Sequence, residues 1–300
     1  MRKKIMEMPF KIIDVHVHIP LEPEMAFKEI REQWISTSFL DINTYNAILR
    51  DPSRLIKLLD EWNVEWVNVI SYYAKESMGL GYEYIDAVGK YCMEYPDRLH
   101  FVMSANPYDE EAIKWLEYFR TKYNSNWIKI HPVHAWIKPN AYRPEEGGVE
   151  ALRKIYEYAE DNNMAITIHT GTSAFRTSRN KYGNPQYIED ILIDFPRLRV
   201  VIAHGGRPIK EWVDYTYYLL KNYENAYLDI SGIPPKNLLM YFSDIDKIID
   251  KILFGTDWYS PGIRSIIDNA LQIMNLPINE HYKRKILHDN AESFVRLIAH

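Results

Sequence analysis

The sequence predicts a (β/α)8 barrel, the fold also called a TIM barrel, and two observations lead to that prediction. Short apolar or β-branched runs alternate with amphipathic stretches along the 300-residue chain, as expected where buried parallel strands alternate with surface helices. Histidine or aspartate side chains stand at the ends of several of these runs, where a barrel carries its catalytic groups. Eight strands, each followed by a helix, usually close into a cylinder, so the barrel is preferred over an open doubly wound sheet.

Each predicted strand is a near-continuous apolar run, which is typical of a strand buried on both faces. The predicted strands are Ile12–Ile19, Val64–Tyr72, His100–Ala105, Trp127–Pro132, Ala165–Thr170, Val200–His204, Ala226–Ile230 and Lys251–Gly255. The stretches between them repeat apolar residues at helical spacing. The predicted helices are Ser53–Trp62, Asp109–Lys122, Gly148–Asn163, Pro185–Phe195, Ile209–Tyr223, Pro235–Asp250, Arg264–Met274 and a terminal helix, Asn290–Ile298, which is expected to cover the barrel floor.

One segment fits no strand–helix unit. Pro20 to Arg50 lies between the first strand and the first helix and is longer than an ordinary βα connection. Because it is rich in large apolar side chains, we expect an ordered flap over the barrel mouth. These side chains are Met25, Phe27, Trp34, Phe39 and Tyr45. No linker rich in proline, glycine or serine divides the chain, so residues 1–300 are expected to form one domain.

Composition excludes several classes of function. The formal net charge is −5 and no Lys/Arg run is present, which argues against nucleic acid or an anionic membrane as a partner. Cys92 is the only cysteine, so intrachain disulfides and a cysteine-based zinc site are excluded. No apolar run approaches the ~18 residues of a membrane span, and Met1 to Lys11 lacks the apolar core of a signal peptide. A cytoplasmic protein acting on a small molecule is the expectation.

The first predicted strand carries two histidines, in the run Ile-Ile-Asp-Val-His16-Val-His18-Ile. Strand side chains alternate between the two faces, so His16 and His18 point to the same side. Two adjacent imidazoles repel each other when both are protonated, and one shared metal ion removes that conflict. A single His-x-His pattern is also compatible with two structural histidines.

The same pattern recurs on other strands. His169 ends the fifth strand, His204 ends the sixth and Asp257 ends the eighth, while Lys129 and His131 alternate on the fourth. Any one of these could be a structural residue that a backbone group satisfies. Together they require a shared explanation, because each buried polar group must find a partner. The C-terminal ends of barrel strands meet at one mouth, so a metal site there is predicted.

These motifs resemble the amidohydrolase superfamily. The Asp-Val-His-Val-His start, Lys129-x-His131-Pro, His204-Gly-Gly and Gly-Thr-Asp257-Trp are similar to its amidohydrolase-related branch. That branch contains aminocarboxymuconate-semialdehyde decarboxylase, resorcylate-type decarboxylases and lactone or amide hydrolases. The resemblance extends from Asp14 to the segment before the last helix, and it is specific for the branch rather than for a substrate.

The resemblance implies one divalent metal ion, expected to be Zn2+, with ligands His16, His18, His169 and Asp257. His204 would lie beside a metal-bound water, and His204 and Asp257 would be the catalytic residues. Other superfamily members bridge two metals through a carboxylated lysine on the fourth strand. Lys129 therefore leaves a binuclear site open, although a mononuclear site is expected. A homodimer is also implied by the branch.

Three functions remain open. The first is a metal-dependent hydrolase that cleaves a C–O or C–N bond of a small molecule through a metal-activated water. The second is a non-oxidative decarboxylase of an aromatic or unsaturated acid, and the third is a metal-binding barrel without turnover. Candidate substrate-binding residues are Arg207, His131 and Trp258. His134, in the loop after the fourth strand, is expected to be solvent-exposed.

Overall fold

A computed structural model describes residues 8–20 and 24–298. Residues 1–7, on which most of the signal-peptide expectation depends, residues 21–23 of the predicted flap and the last two residues lie outside the described part. All eight predicted strands are present and confirm the barrel prediction. They are β1 (Ile12–Val17), β2 (Val64–Ile70), β3 (Leu99–Val102), β4 (Trp127–Ile130), β5 (Ala165–His169), β6 (Arg199–Ala203), β7 (Ala226–Asp229) and β8 (Ile252–Leu253).

The strands form two parallel ribbons, β1-β2-β3 and β4-β5-β6-β7-β8. Parallel bridges join the ribbons at both edges, between Val17 and Trp258 and between Met103 and Ile128. The amide of Asp257 also donates to the carbonyl of His16 at 2.8 Å. These two seams close the sheet into a cylinder, so the C-terminal ends of all strands surround one mouth.

The helices surround this cylinder. They are α1 (Lys28–Thr37), α2 (Ile42–Arg50), α3 (Pro52–Glu61), α4 (Lys75–Met78), α5 (Tyr82–Met93), α6 (Ala112–Tyr123), α7 (Pro132–Ala135), α8 (Glu150–Asp161), α9 (Gln186–Asp194), α10 (Lys210–Asn222), α11 (Leu238–Tyr241), α12 (Ile266–Met274), α13 (Glu280–Arg284) and α14 (Asn290–Ile298). None of the helices within the described residues is long and apolar enough to cross a bilayer.

The helix prediction needs two corrections, since one helix was not predicted and one predicted helix is broken. Helix α5, after β2, is absent from the amphipathic stretches read in the sequence, although Ile85, Val88 and Cys92 give it a buried stripe. The predicted helix Pro235–Asp250 is instead broken into α11 and single turns. Ser243 and Asp244 follow α11, and such side chains compete with the helical backbone for hydrogen bonds. Short turns then bury the same apolar side chains that a helix would have buried.

The barrel floor is closed by α14, as the sequence predicts. Phe294 of this helix packs against Trp127 and Tyr227, with ring centroids 4.9 and 4.6 Å apart. The described part of the predicted flap forms α1 and α2 and covers the mouth. Trp34 of α1 is buried, and its indole Nε1 donates to the carbonyl of Tyr259 at 2.5 Å. The flap therefore forms part of the roof over the site.

Candidate metal centre and its cavity

A cavity of about 130 Å³ lies at the barrel mouth. Its inner part consists of polar residues from the strand ends, and its outer part consists of the flap and the β5 and β8 loops. The lining residues are His16, His18, Trp34, Tyr72, Lys129, His131, His134, His169, Thr172, Ser173, Ala174, Phe175, His204, Arg207, Asp257, Ser260 and Pro261.

Three side chains in this cavity converge closely. One ligand atom from each of His16, His18 and Asp257 lies within 4.8 Å of the others. Asp257 Oδ1 is 3.1 Å from His18 Nε2 and 3.6 Å from His16 Nε2. The backbone of Asp257 is left-handed, with φ 65°. Since non-glycine residues rarely adopt this conformation, its presence here is consistent with a functional position.

Asp257 is an ionised carboxylate in this setting. Burial by itself raises its pKa, but the hydrogen bond from His18 and the neighbouring imidazoles of His204 and His16 outweigh that effect. The pKa of Asp257 therefore lies well below its usual range. An ionised carboxylate between two imidazoles offers a negative oxygen to a cation, or a base to an acidic proton.

His16 is oriented by a residue that the sequence analysis missed. Asp229, the last residue of β7, is buried, and its Oδ2 lies 2.5 Å from His16 Nδ1. Ser231 Oγ donates to the same carboxylate oxygen at 2.9 Å. Burial lowers the pKa of His16, so a neutral imidazole donates Nδ1–H to Asp229 and leaves the Nε2 lone pair free. The sequence did offer a signal for Asp229, because it is a carboxylate next to the end of the predicted strand Ala226–Ile230.

A hydrogen bond between buried Asp14 and buried Thr256 joins β1 to the segment after β8 in this part of the mouth. Asp14 accepts hydrogen bonds from the amide of His16 at 3.0 Å and from the hydroxyl of Thr256 at 2.6 Å. Burial raises the pKa of Asp14 to about 8. A side chain at Gly255 would place its Cβ 2.1 Å from Asp229 Oδ1 and 2.9 Å from the His16 Cβ. Glycine is therefore required for the strands to approach here.

His204 faces the trio from β6. Its Nδ1 lies 2.8 Å from the carbonyl oxygen of Ser231. Because a carbonyl can only accept, Nδ1 carries the proton and Nε2 keeps its lone pair. Burial lowers the pKa of His204 to about 3, so the ring is neutral at pH 7. In this tautomer His204 acts as a hydrogen-bond acceptor, whereas an oxyanion would need a donor.

His169 reaches the cavity but stands outside the close trio. Its ring lies face to face with His131, with centroids 3.9 Å apart, and edge-on to His204 at 4.5 Å. Both of its ring nitrogens are buried and have no hydrogen-bond partner among the described residues. An imidazole with two unsatisfied buried nitrogens is costly, which favours a bound group at this position.

The expectation that His134 is solvent-exposed is wrong. The ring is buried and stacks on His131, with centroids 3.7 Å apart and an interplanar angle of 5°. Its Nε2 lies 2.9 Å from Ser173 Oγ. The residue lies in α7, a single turn directly after β4 that directs the side chain inward. Loop position alone could not reveal this, since the turn is too short to produce a helical pattern.

Two cationic side chains line the same cavity. Lys129 is buried on β4, and neither its Nζ nor Arg207 Nε has a hydrogen-bond partner among the described residues. Burial lowers the pKa of Lys129 to about 8. Arg207 packs against Gly232, where a Cβ would approach its Nη2 to 2.3 Å. Both side chains are therefore placed to meet a negatively charged ligand.

Trp258 has a different position from the other predicted substrate-binding residues. It is 1% exposed and is absent from the cavity lining. Its ring packs against Trp62 and Tyr259, with centroids 5.0 and 3.9 Å apart. The side chain of this β8-loop residue is thus part of the packed wall behind the site, and its contact with a substrate remains a prediction that this packing does not favour.

The donor set fits a divalent metal ion. His16 Nε2, His18 Nε2 and an Asp257 oxygen are close together, and His169 contributes two unsatisfied nitrogens nearby. Neutral imidazoles with one carboxylate are ligands for zinc, iron or manganese. Asp229 supplies the outer carboxylate that commonly orients a metal-binding histidine.

The sequence profile of the amidohydrolase family matches residues 13–297. The chain belongs to the amidohydrolase family. It is therefore a member of a family of metal-dependent enzymes, and the superfamily predicted from the motifs is confirmed. No curated protein sequence matches the chain.

Solved structures share this fold. An uncharacterised TIM-barrel protein from Bordetella bronchiseptica is 21% identical, with 97% of this chain and 100% of that chain covered and a TM-score of 0.74. A probable 2-pyrone-4,6-dicarboxylic acid hydrolase from Acinetobacter baumannii is 18% identical, with coverages of 95% and 99% and a TM-score of 0.66. A manganese-bound dihydroxybenzoic acid decarboxylase from Polaromonas sp. JS666 is 14% identical, with coverages of 96% and 97% and a TM-score of 0.65.

Proposed function

We propose that this amidohydrolase-family protein is a metal-dependent hydrolase that cleaves a C–O or C–N bond of a small molecule through an activated water. The observation that carries this proposal is the convergence of His16, His18 and ionised Asp257 within 4.8 Å of one another, with the free Nε2 of His204 facing the same cavity. A base, a set of metal ligands and an enclosed volume are the parts that such hydrolysis needs.

We propose one divalent ion, Zn2+, held by His16, His18, His169 and Asp257. Three imidazoles and a carboxylate suit zinc, but manganese and iron accept the same ligands. The decarboxylase from Polaromonas carries manganese, so metal analysis of the purified protein is the test of identity. Two ions per chain would instead support a bridging role for Lys129.

When bound, the ion would lower the pKa of a water molecule from 15.7 to about 7 and would polarise a substrate carbonyl. The protein's own groups would supply the rest. Asp257 would accept a proton from the attacking water and return it to the leaving group. His204 would hold the reacting water through its Nε2 lone pair, while Lys129 and Arg207 would bind a negatively charged group of the substrate. His131 would contact the substrate from β4.

A second candidate is a non-oxidative decarboxylase of an aromatic or unsaturated acid. It is favoured by the pairing of two cations, Lys129 and Arg207, with aromatic walls from Trp34, Tyr72 and Phe175 in one cavity. A planar acid would be held by its carboxylate and its ring. The carbon that loses CO2 would take up a proton, so one C–C bond is exchanged for one C–H bond.

The two candidates are separated by product analysis. The metal-loaded protein is incubated with a panel of lactones and amides and, separately, with hydroxybenzoates. New carboxylate groups without CO2 release support the hydrolase, whereas stoichiometric CO2 release supports the lyase. His204→Asn is expected to retain the metal and lose activity. His100→Asn is the matched control, because His100 stacks on Trp66 and does not line the cavity.

Three broader expectations are proposals as well. The first is that residues 1–300 act as one domain, and the second is that the protein is cytoplasmic. The third concerns partners: a homodimer that acts on a small-molecule substrate, without nucleic acid or membrane partners. Light scattering of the full chain tests the assembly, and a monomer at micromolar concentration would contradict the homodimer.

A further inference from the structure

Three histidine rings form a continuous column on the β4–β5 side of the cavity, which we call the imidazole stack. His131 lies in the middle, with His134 at a centroid distance of 3.7 Å and His169 at 3.9 Å on its other face. The interplanar angles are 5° and 18°. Tyr72 flanks the column, with its ring centroid 4.8 Å from that of His131.

Among the described residues, only the far end of the imidazole stack is tied to the protein by side-chain hydrogen bonds. His134 Nε2 lies 2.9 Å from Ser173 Oγ and 3.2 Å from Ser178 Oγ. Ser77 Oγ also donates to the carbonyl of His134 at 2.7 Å. At the other end, neither nitrogen of His169 has a partner within the described residues. Among the described residues, the His169 ring is therefore oriented by ring contacts, with the face of His131 on one side and the edge-on ring of His204 on another.

Filling the space does not explain this arrangement. The Nδ1 atoms of His131 and His134 are buried without hydrogen-bond partners among the described residues, and each unsatisfied group costs stability. Leucine or phenylalanine would fill the same volume without that cost. A planar ring fixes the plane of the ring that stacks on it, whereas a branched aliphatic side chain does not.

A metal ligand needs such a restraint. Ligating groups must be held to within about 0.5 Å and 10–20° of their productive geometry. A metal-binding histidine usually gains this orientation by donating its second N–H to a carboxylate or carbonyl. His16 has such a partner in Asp229, whereas His169 has none among the described residues.

We propose that His131 and His134 are positioning residues that orient His169 toward the metal by ring stacking, with the column anchored at Ser173 and Ser178. The inference rests on the proposed metal site. It also links the metal ligand to the β5 loop, because Ser173 lines the cavity beside Thr172, Ala174 and Phe175. Displacement of this loop by a substrate would then change the orientation of a ligand.

The test compares ring-retaining with ring-removing variants of His134. His134→Leu is expected to weaken binding of Co2+ roughly 10- to 100-fold, the range found when an outer partner of a metal ligand is lost. His134→Phe keeps a flat ring against His131 but loses the hydrogen bonds to Ser173 and Ser178. It is expected to retain more of the Co2+ affinity than His134→Leu does. Affinity is measured by competition with a chromophoric chelator, and the visible spectrum of bound Co2+ reports the ligand geometry.

Phe119→Leu is the matched control for lost packing, because Phe119 is a fully buried ring outside the cavity. It should lower the melting temperature of the metal-free protein and leave the Co2+ affinity and spectrum unchanged. If the unaltered protein binds Co2+ but His134→Leu binds it equally well with the same spectrum, the stacking role is wrong while the metal site stands. If the unaltered protein binds no divalent ion, both proposals fall. Equal losses in the Leu and Phe variants would also contradict the stacking role.

Discussion

His16 and His169, on two sides of the barrel mouth, are restrained by different physical means. On the β1–β7–β8 side, His16 donates to the buried carboxylate of Asp229, and Ser231 and Asp14 extend that hydrogen-bonded network. On the β4–β5 side, His169 lies against the face of His131, which in turn stacks on His134. A hydrogen bond to a carboxylate fixes both the direction and the tautomer of a ring, whereas stacking fixes only its plane.

This difference predicts different responses to perturbation. On the carboxylate side, His16 has one tautomer and tight contacts, so a substitution there should cause a large loss of metal affinity that is confined to this ligand. On the stacked side, the His169 ring can slide and rotate within its plane. Substitutions there should therefore cause a partial loss of metal affinity and should also affect the β5 loop. The two sides meet at the metal position, where Asp257 and His169 would be ligands from opposite sides.

The largest effect is expected for Asp257→Asn compared with His169→Asn. Asp257 is both a proposed ligand and the proposed base, and losing a positioned base costs roughly 10²–10⁴-fold in rate. His169 is proposed as a ligand only, so its loss should be largely recovered by saturating metal. Steady-state kinetics over a metal titration measures this, and equal residual rates at saturation would remove the base role from Asp257.

Next in size is the combination of Asp229→Asn with His134→Leu. Each single change is expected to weaken metal binding roughly 10- to 100-fold. If the Asp229 hydrogen bond and the imidazole stack orient different ligands, the two losses of metal affinity should multiply, with a coupling energy below about 0.5 kcal/mol. Chelator competition on both single variants and the double variant gives this coupling. A double variant no weaker than Asp229→Asn would show that the two sides act on the same ligand.

Gly255→Ala tests how closely the carboxylate side is packed. The new Cβ would lie 2.1 Å from Asp229 Oδ1, and overpacking of this kind costs about 1–3 kcal/mol. Urea unfolding of the metal-free protein should show the loss. Gly81→Ala is the control, because its Cβ would contact the flexible end of Glu83 and the Lys75 side chain. A stability equal to that control would mean that Asp229 can move away from His16.

The smallest effect concerns the pH dependence of the stacked side. Burial lowers the pKa of His134 from 6.5 to about 3. The unfolded chain therefore binds more protons between these pH values, so metal-free stability falls as the pH drops below about 6.5. Between pH 7.5 and 5.5, His134 should contribute about 1 kcal/mol of this loss. Denaturant unfolding at both pH values should show a smaller loss in His134→Phe, and an identical loss would contradict a neutral, buried His134.

Much of the fold could be predicted because it follows from local pattern. Buried parallel strands require continuous apolar runs, and all eight were visible as such. Helix α5 was missed although Ile85, Val88 and Cys92 follow helical spacing. The break after α11 was missed because short turns bury the same apolar side chains that a helix would bury. For the site, the meeting of His16, His18, His169, His204 and Asp257 at one cavity could be predicted, because each is a polar residue at the end of an apolar run.

The sequence by itself determined the barrel, the family and the polar residues that end its strands. Only the tertiary structure decided which of these residues touch. Asp229 reaches His16 because β7 and β1 lie beside the same strand, β8, across the seam between Val17 and Trp258. His134 becomes buried because a single turn after β4 folds it onto His131. Trp258 is turned into the wall behind the cavity. These outcomes depend on closure of the cylinder, since spacing along a chain does not specify which side chains meet once the strands are curved around a common axis.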